Sequence, residues 1–207
     1  MAGRRVQGGL MLKTLAEYEE LARAAHGHLC AGQVLGIRMA MHGLALLGLD
    51  DPLGVHRKRL VTFVEIDRCA TDAIMVVTGC RLGKRALKFF DFGKMAATFC
   101  DLETGKAVRL AALESSRDRA RELFPHLEKP GQQQLEAYRV LPPEELFRTE
   151  WVDVRILPQD LPGFKGPRVF CQACGERVSF GREVILDGRT LCRACAGQRY
   201  YDPLPHH

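Results

Sequence analysis

Four cysteines near the C-terminus form two close pairs, Cys171-x2-Cys174 and Cys192-x2-Cys195, with seventeen residues between them. Paired thiolates at this spacing match a tetrahedral zinc site. Four sulfur ligands leave no position for water, so such a site is structural rather than catalytic. The competing reading is a surface with redox-active thiols, for which one such pair would suffice. Gly175 follows the first pair, where a tight knuckle benefits from a residue without Cβ. Between the pairs, Val184-Ile-Leu186 and Arg189-Thr-Leu191 flank Asp187-Gly188 and predict a hairpin with a two-residue turn. Six arginines in this segment (Arg168, Arg177, Arg182, Arg189, Arg193 and Arg199) could meet nucleic acid, but acidic residues dilute them. A protein-binding module fits at least as well.

A second group is His26-Gly-His28-Leu-Cys30-Ala-Gly32. Imidazole and thiolate are both good ligands for zinc and related metals. A cysteine just before a helix feels the helix N-terminus, which favours its thiolate. On this motif alone, metal ligation and ordinary packing with hydrogen bonds at a helix start stand level. A third group is Cys69-Ala-Thr-Asp72-Ala-Ile, followed by Thr78-Gly79-Cys80-Arg81-Leu82-Gly83-Lys84. Asp72 falls where a helix N-terminus welcomes a carboxylate. Gly79 and Gly83 flank Cys80 in a loop. The stretch is not a phosphate-binding P-loop: it is one residue short, and Arg85 stands where Ser or Thr would be needed. Cys100 reads as core, His42 and His56 as structural, and His206-His207 are set aside.

These groups need elements to position them. Thr14 and Glu17 form a capping box that starts a helix over 15–25. A loop then leads into a long buried helix from about Cys30, ended by Asp50-Asp51-Pro52. Residues 60–66 alternate as a strand, and 71–78 read as a short helix ended by Gly79. The runs 86–91, 95–101 and 107–113, separated by Asp91-Phe-Gly-Lys and Glu103-Thr-Gly-Lys, predict a β-meander. Ser115 or Ser116 caps a helix carrying Ala120, Leu123, Phe124 and Leu127. Pro130-Gly131 breaks it, and helices follow over 132–140 and from Pro143. Val152, Val154 and Ile156 predict a fifth strand. The expected fold is α+β: an antiparallel-rich sheet with packed helices, then a small zinc finger of ribbon or treble-clef-like type.

The expected organisation is a core over 1–157, a linker over 158–167 rich in Pro and Gly, a finger over 168–200 and a tail over 201–207. The finger is too short to fold around an apolar core of its own and needs a staple. Length and composition agree: 207 residues, 46% hydrophobic and 27% charged, bury a sizeable core and exclude wholesale disorder. A net charge of +5 does not make nucleic acid the default partner. The N-terminal Met1-Ala-Gly-Arg-Arg-Val lacks the apolar run of a signal peptide, and Arg4-Arg5 is too little for twin-arginine export. Residues 29–49 could span a bilayer by length, but Gln33, Arg38 and His42 interrupt them. The expectation is a cytoplasmic protein without a membrane segment, whose cysteines are ligands or reactive thiols.

Together the His26–Gly32, Cys69–Ile74 and Thr78–Lys84 blocks, with Asp91-Phe-Gly93-Lys94-Met-Ala, resemble the family of the formylmethanofuran dehydrogenase E-subunit over residues 10–155. The four-cysteine segment resembles the finger that some members append. Ala31 stands where Pro is expected, and Arg81 where Thr is expected. The resemblance implies an α+β core, a homodimer and a metal-binding cavity near the His/Cys motif. The resulting expectation is a zinc-binding accessory protein of a molybdenum or tungsten oxidoreductase. Its finger would dock a protein partner. Its core would hold a second zinc or similar transition metal on His28, Cys30 and Cys80. His26 and Cys69 are second choices, with Asp72, Arg81 and Lys84 as neighbours. A metal-dependent enzyme and a nucleic-acid-binding regulator are the alternatives. The small residues Gly32, Gly36 and Gly43 on the long helix form a ridge that would permit close helix approach in a dimer, or pack within one chain.

Overall fold

A computed structural model describes residues 12–204, so Arg4-Arg5 and His206-His207 lie outside the described residues. The chain divides into two compact units between Arg155 and Ile156.

The first unit opens with α1 (Leu15–His26), started by the Thr14/Glu17 box. The Thr14 amide donates to Glu17 Oε2 at 2.8 Å, and the Glu17 amide donates to Thr14 Oγ1 at 3.3 Å. Gly27, with φ 93°, ends the helix in the left-handed conformation that favours glycine. Next comes α2 (Ala31–Leu47), which buries Val34, Ile37, Met39, Ala40 and Leu44. Arg38 fits this buried helix because its guanidinium donates to three carbonyls: Tyr138 O at 2.8 Å, Arg139 O at 2.9 Å and Leu141 O at 2.7 Å. These are C-terminal carbonyls of α5 (Pro130–Val140) and its cap, which lack partners within their own helix. Glu19 of α1 accepts two hydrogen bonds from Arg139, tying α1 to α5 as well.

The sheet contains β1 (Leu60–Val64), β2 (Leu87–Phe89), β3 (Ala96–Asp101), β4 (Ala107–Ala112) and β5 (Phe147–Val152) in the order β2-β1-β3-β4-β5. The expected α+β architecture is present, but the meander is corrected. β2 pairs parallel with β1 rather than antiparallel with β3. The chain leaves β1, runs through α3 (Cys69–Thr78) and returns as β2, the crossover that parallel strands require. Asp91-Phe-Gly-Lys therefore is not a hairpin turn. The Phe92 and Lys94 amides both donate to Glu65 O, carrying the chain past the end of β1.

Three boundaries also differ. β5 occupies 147–152, so it includes Val152 but ends before the alternating Val154 and Ile156. As an edge strand it carries exposed Arg148 and half-buried Glu150, so hydrophobic alternation does not report it. Pro130 does not break a helix but begins α5, where its missing N–H costs nothing. The helix α4 (Ser115–Leu123) stops before Leu127 and has no side-chain cap. The short α6 (Pro143–Leu146) leads directly into β5.

The ridge on α2 is used inside the chain. A Cβ on Gly36 would lie 2.7 Å from the Ala70 Cα of α3, and one on Gly43 would lie 2.8 Å from Phe99 Cε2 of β3. Gly36 thus allows α2 and α3 to meet backbone to backbone. Gly36→Ala forces this contact apart and is expected to cost about 3 kcal/mol, near the upper end for an overpacked core. Chemical denaturation measures it.

Arg59 makes two hydrogen bonds to Asp101, which is 1% exposed at the end of β3. The Arg59 guanidinium, with help from Thr104 and the Glu103 amide, holds the Asp101 carboxyl down at about 2. Because the folded value lies below the unfolded one, this stabilisation is present above about pH 4 and is lost as pH falls towards 2. It amounts to about 2 kcal/mol. Asp101→Asn is expected to destabilise the protein at pH 6, with the gap from wild type closing in urea titrations at decreasing pH.

Candidate metal centres

The second unit is built from two hairpins. β6 (Arg168–Phe170) pairs with β7 (Arg177–Ser179), and β8 (Val184–Leu186) pairs with β9 (Arg189–Leu191). The β8–β9 turn is the expected Asp187-Gly188, with φ of 49° and 73°, the positive pair that a two-residue hairpin turn demands. Gly175, with φ 75°, closes the first knuckle. Residues 158–160 form a 3-10 turn, and Asp160 ion-pairs with Arg182. Among the described residues of this unit, the buried apolar cluster is Cys171, Val178 and Leu191, with Val169, Cys192, Cys195 and Ala196 against them.

This small cluster surrounds the four cysteines. Their sulfurs all lie within 4.8 Å of one another, and Cys174 Sγ is 4.0 Å from Cys192 Sγ. A tetrahedron with Zn–S bonds of about 2.3 Å has edges of about 3.8 Å, so the set fits a zinc ion after slight contraction. Amides of the two knuckles point at the sulfurs, including Cys195 N to Cys192 Sγ at 3.3 Å. Backbone N–H groups of Cys174, Cys192 and Ala173 hold the Cys171 thiol down at about 6. At Cys174 the Glu176 amide pulls the same way, but the crowd of neighbouring sulfurs wins and pushes that thiol up to about 12. Four such thiols cannot all ionise together without a cation among them.

The first unit holds a different arrangement, where three helix ends meet. His26 ends α1, Cys30 caps α2, and Cys69 begins α3 with Asp72 in its first turn. His26 Nδ1 lies 2.9 Å from Asp72 Oδ2, and the His26 and His28 rings are 4.9 Å apart. Burial, together with a hydrogen bond between the Cys69 and Cys30 side chains, pushes the Cys69 thiol up. Gly32 gives these sulfurs room: a Cβ there would lie 3.6 Å from Cys69 Cβ and 3.8 Å from Cys30 Sγ. Thr71 fixes the approach to α3 by donating to Ile66 O at 2.6 Å.

Cys80 stands apart from this group. It follows Gly79 at the far end of α3, a ten-residue helix and hence about 15 Å long. It is 3% exposed, accepts from Thr62 Oγ1 at 3.5 Å and faces Leu60 O at 3.6 Å. Burial pushes its thiol up. Arg81 and Lys84 lie exposed beyond it, on the 3-10 turn and its cap. Cys30 is therefore brought to Cys69, and not to Cys80. Among the described residues, the finger cysteines are the one group of three or more potential ligands whose donor atoms converge within 4.8 Å.

Two features of this region escape the sequence patterns. Gln33 is fully buried and bridges the loop: Cys30 N donates to its Oε1 at 3.0 Å, and its Nε2 donates to Ala22 O at 3.2 Å. Its position three residues after the cap, where a capping-box glutamine belongs, is the one local signal for it. The other feature is a cleft of about 410 Å³, whose lining includes His26, Cys69, Asp72, Met75, Leu82 and Phe89. It is assembled from α3, the 3-10 turn and β2, so no local pattern announces it.

Comparison with known proteins agrees with this two-part architecture. Residues 25–148 match the family described as "FmdE, Molybdenum formylmethanofuran dehydrogenase operon". Residues 166–201 match the "Prokaryotic dksA/traR C4-type zinc finger". The chain belongs to the FmdE family and carries a C-terminal C4 zinc finger. It is 31% identical over 203 residues to a "Probable S-adenosyl-L-methionine-binding protein" of Archaeoglobus fulgidus; the match covers 86% of this chain. The chain spans about half the length of that relative, 52%. The crystal structure of a tungsten formylmethanofuran dehydrogenase FmdE-like protein from Syntrophus aciditrophicus shares the fold. Its TM-score is 0.61 at 23% identity, covering 97% of this chain and 100% of that one. No helix among the described residues is long and apolar enough to cross a membrane.

Proposed function

We propose that the protein is a cytoplasmic accessory protein of a molybdenum or tungsten oxidoreductase, with a core metal site and a finger that docks the partner. The observation that carries the core site is placement: His26, Cys30 and Cys69 stand at three neighbouring helix ends, His28 lies against His26 with Asp72 behind it, and a metal would draw these donors together. Two thiols and two imidazoles form a donor set suited to zinc or a similar transition metal. A carboxylate that accepts from Nδ1 leaves Nε2 of His26 free to ligate, a common support for metal-bound histidine. Cys30, Cys69 and the His26–His28 pair replace the set that included Cys80. If one of these four donors stays off the metal, a coordination position is left for water or a small molecule. The oxidoreductase partner rests on the family's description, and a homodimer on the family resemblance.

Affinity purification of the full chain from its native cell, without oxygen or chelators, tests the partner. The expected result is stoichiometric recovery of a molybdenum or tungsten oxidoreductase, lost when the exposed Ile185 and Tyr200 of the finger are replaced by Asp. Recovery of the chain alone contradicts the accessory role.

A second reading takes support from the cleft. Its apolar wall, with Asp67 and Asp72 beside Arg68, suits a small molecule that carries both charges on an apolar body. The name of the Archaeoglobus relative points to S-adenosylmethionine, and calorimetric titration with that compound tests the reading.

A further inference from the structure

The first unit holds four cysteines, and the structure sorts them sharply. Cys80 and Cys100 are interior, 3% and 4% exposed, and burial pushes the Cys100 thiol up to about 12. Cys30 and Cys69 are half-buried and flank Gly32, where a Cβ would lie 3.8 Å from Cys30 Sγ and 3.6 Å from Cys69 Cβ, and Cys69 lines the cleft. Both sit at the first positions of helices that pack closely through Gly36. Proximity, an access route and rigid support occur together at this pair alone among the core thiols.

We propose that Cys30 and Cys69 are a reversible redox site, oxidised to a disulfide by hydrogen peroxide or a comparable small peroxide entering through the cleft. The Cys30 sulfur attacks one peroxide oxygen. An S–O bond forms and the O–O bond breaks, and the departing hydroxide takes up the Cys30 proton as water. The Cys69 sulfur then attacks the resulting sulfenic acid. The S–S bond forms, and the sulfenic oxygen leaves with the Cys69 proton as a second water. Two thiols lose two electrons, and one peroxide becomes two waters. A thiol reductant reverses the change by exchange.

The consequence for metal rests on the core-metal reading above, because the same sulfurs cannot hold a metal while bonded to each other. Oxidation therefore releases the core metal. The oxidation itself does not depend on that reading.

The test treats the full chain with hydrogen peroxide, as purified and after chelation, then blocks free thiols and maps the disulfides by peptide mass spectrometry. The Cys30–Cys69 linkage is expected to exceed Cys30–Cys80 and Cys30–Cys100 by about tenfold or more, since Cys80 lies past the far end of α3 and Cys100 is buried within β3. Urea-unfolded chain should lose this preference. Cys69→Ser is expected to strand Cys30 as a sulfenic acid that a dimedone probe captures. If metal slows the linkage, both readings stand. If the linkage forms equally fast with and without metal, the redox site stands and the core-metal reading fails. No Cys30–Cys69 linkage in either sample, at peroxide levels that oxidise the finger, overturns the redox site.

Discussion

Removing zinc from the full chain with a strong chelator is expected to unfold the second unit while the first stays folded. The effect is large because that unit has so little else. Its apolar cluster has three buried residues, and its strands have three residues each. Metal binding free energy is folding free energy in such a case, on the order of 10 kcal/mol for a structural zinc at neutral pH. Cys192→Ser should act like the chelator, since it removes one sulfur from a closed set. The first unit has its own continuous core around α2 and the sheet. Its resonances should stay dispersed in an NMR spectrum while those of residues 168–200 collapse. A finger that keeps its dispersion without metal would sink the assignment.

Cys69→Ser is expected to abolish the core metal, whereas Cys80→Ser should leave it bound. The contrast follows from placement. Cys69 shares a helix-end cluster with Cys30 and the two histidines, while Cys80 lies at the other end of α3 among Thr62 and Leu60. A hydroxyl at 69 is a poor substitute for thiolate towards a soft or borderline metal, so affinity should fall at least about 100-fold. Cys80→Ser instead carries a stability cost, on the order of 1 kcal/mol, from a buried hydroxyl in a thiol's place. Competition with a chromogenic chelator measures the first effect and thermal unfolding the second.

Much of this arrangement is legible in the sequence. The Thr14/Glu17 box marks the start of α1 because both halves of its hydrogen-bond exchange lie within four residues. The Asp187-Gly188 hairpin and the paired cysteines are local too, and their chemistry admits few alternatives. The parallel pairing of β2 is not legible, since glycine-bearing segments between apolar runs look alike whether the chain turns back or moves on past β1. The choice between Cys69 and Cys80 is hidden for a related reason. Both flank the same helix, and spacing does not tell which end of α3 packs beside Cys30. The α2–α3 contact through Gly36 and Ala70 decides it. The glycine ridge shows the same limit: small residues mark a close approach but do not name the partner.

If the proposed core site at the Cys30/Cys69 helix ends holds a metal beside the closed site in the finger, both should appear in the metal content of the protein. Plasma mass spectrometry on full chain purified without chelator or oxidant tests this most directly. The expected result is about two ions per wild-type chain, about one when Cys30 and Cys69 are both Ser, and about one when Cys171 and Cys174 are both Ser. About one ion in wild type, unchanged by the Cys30/Cys69 replacement and lost with the finger pair, would contradict it.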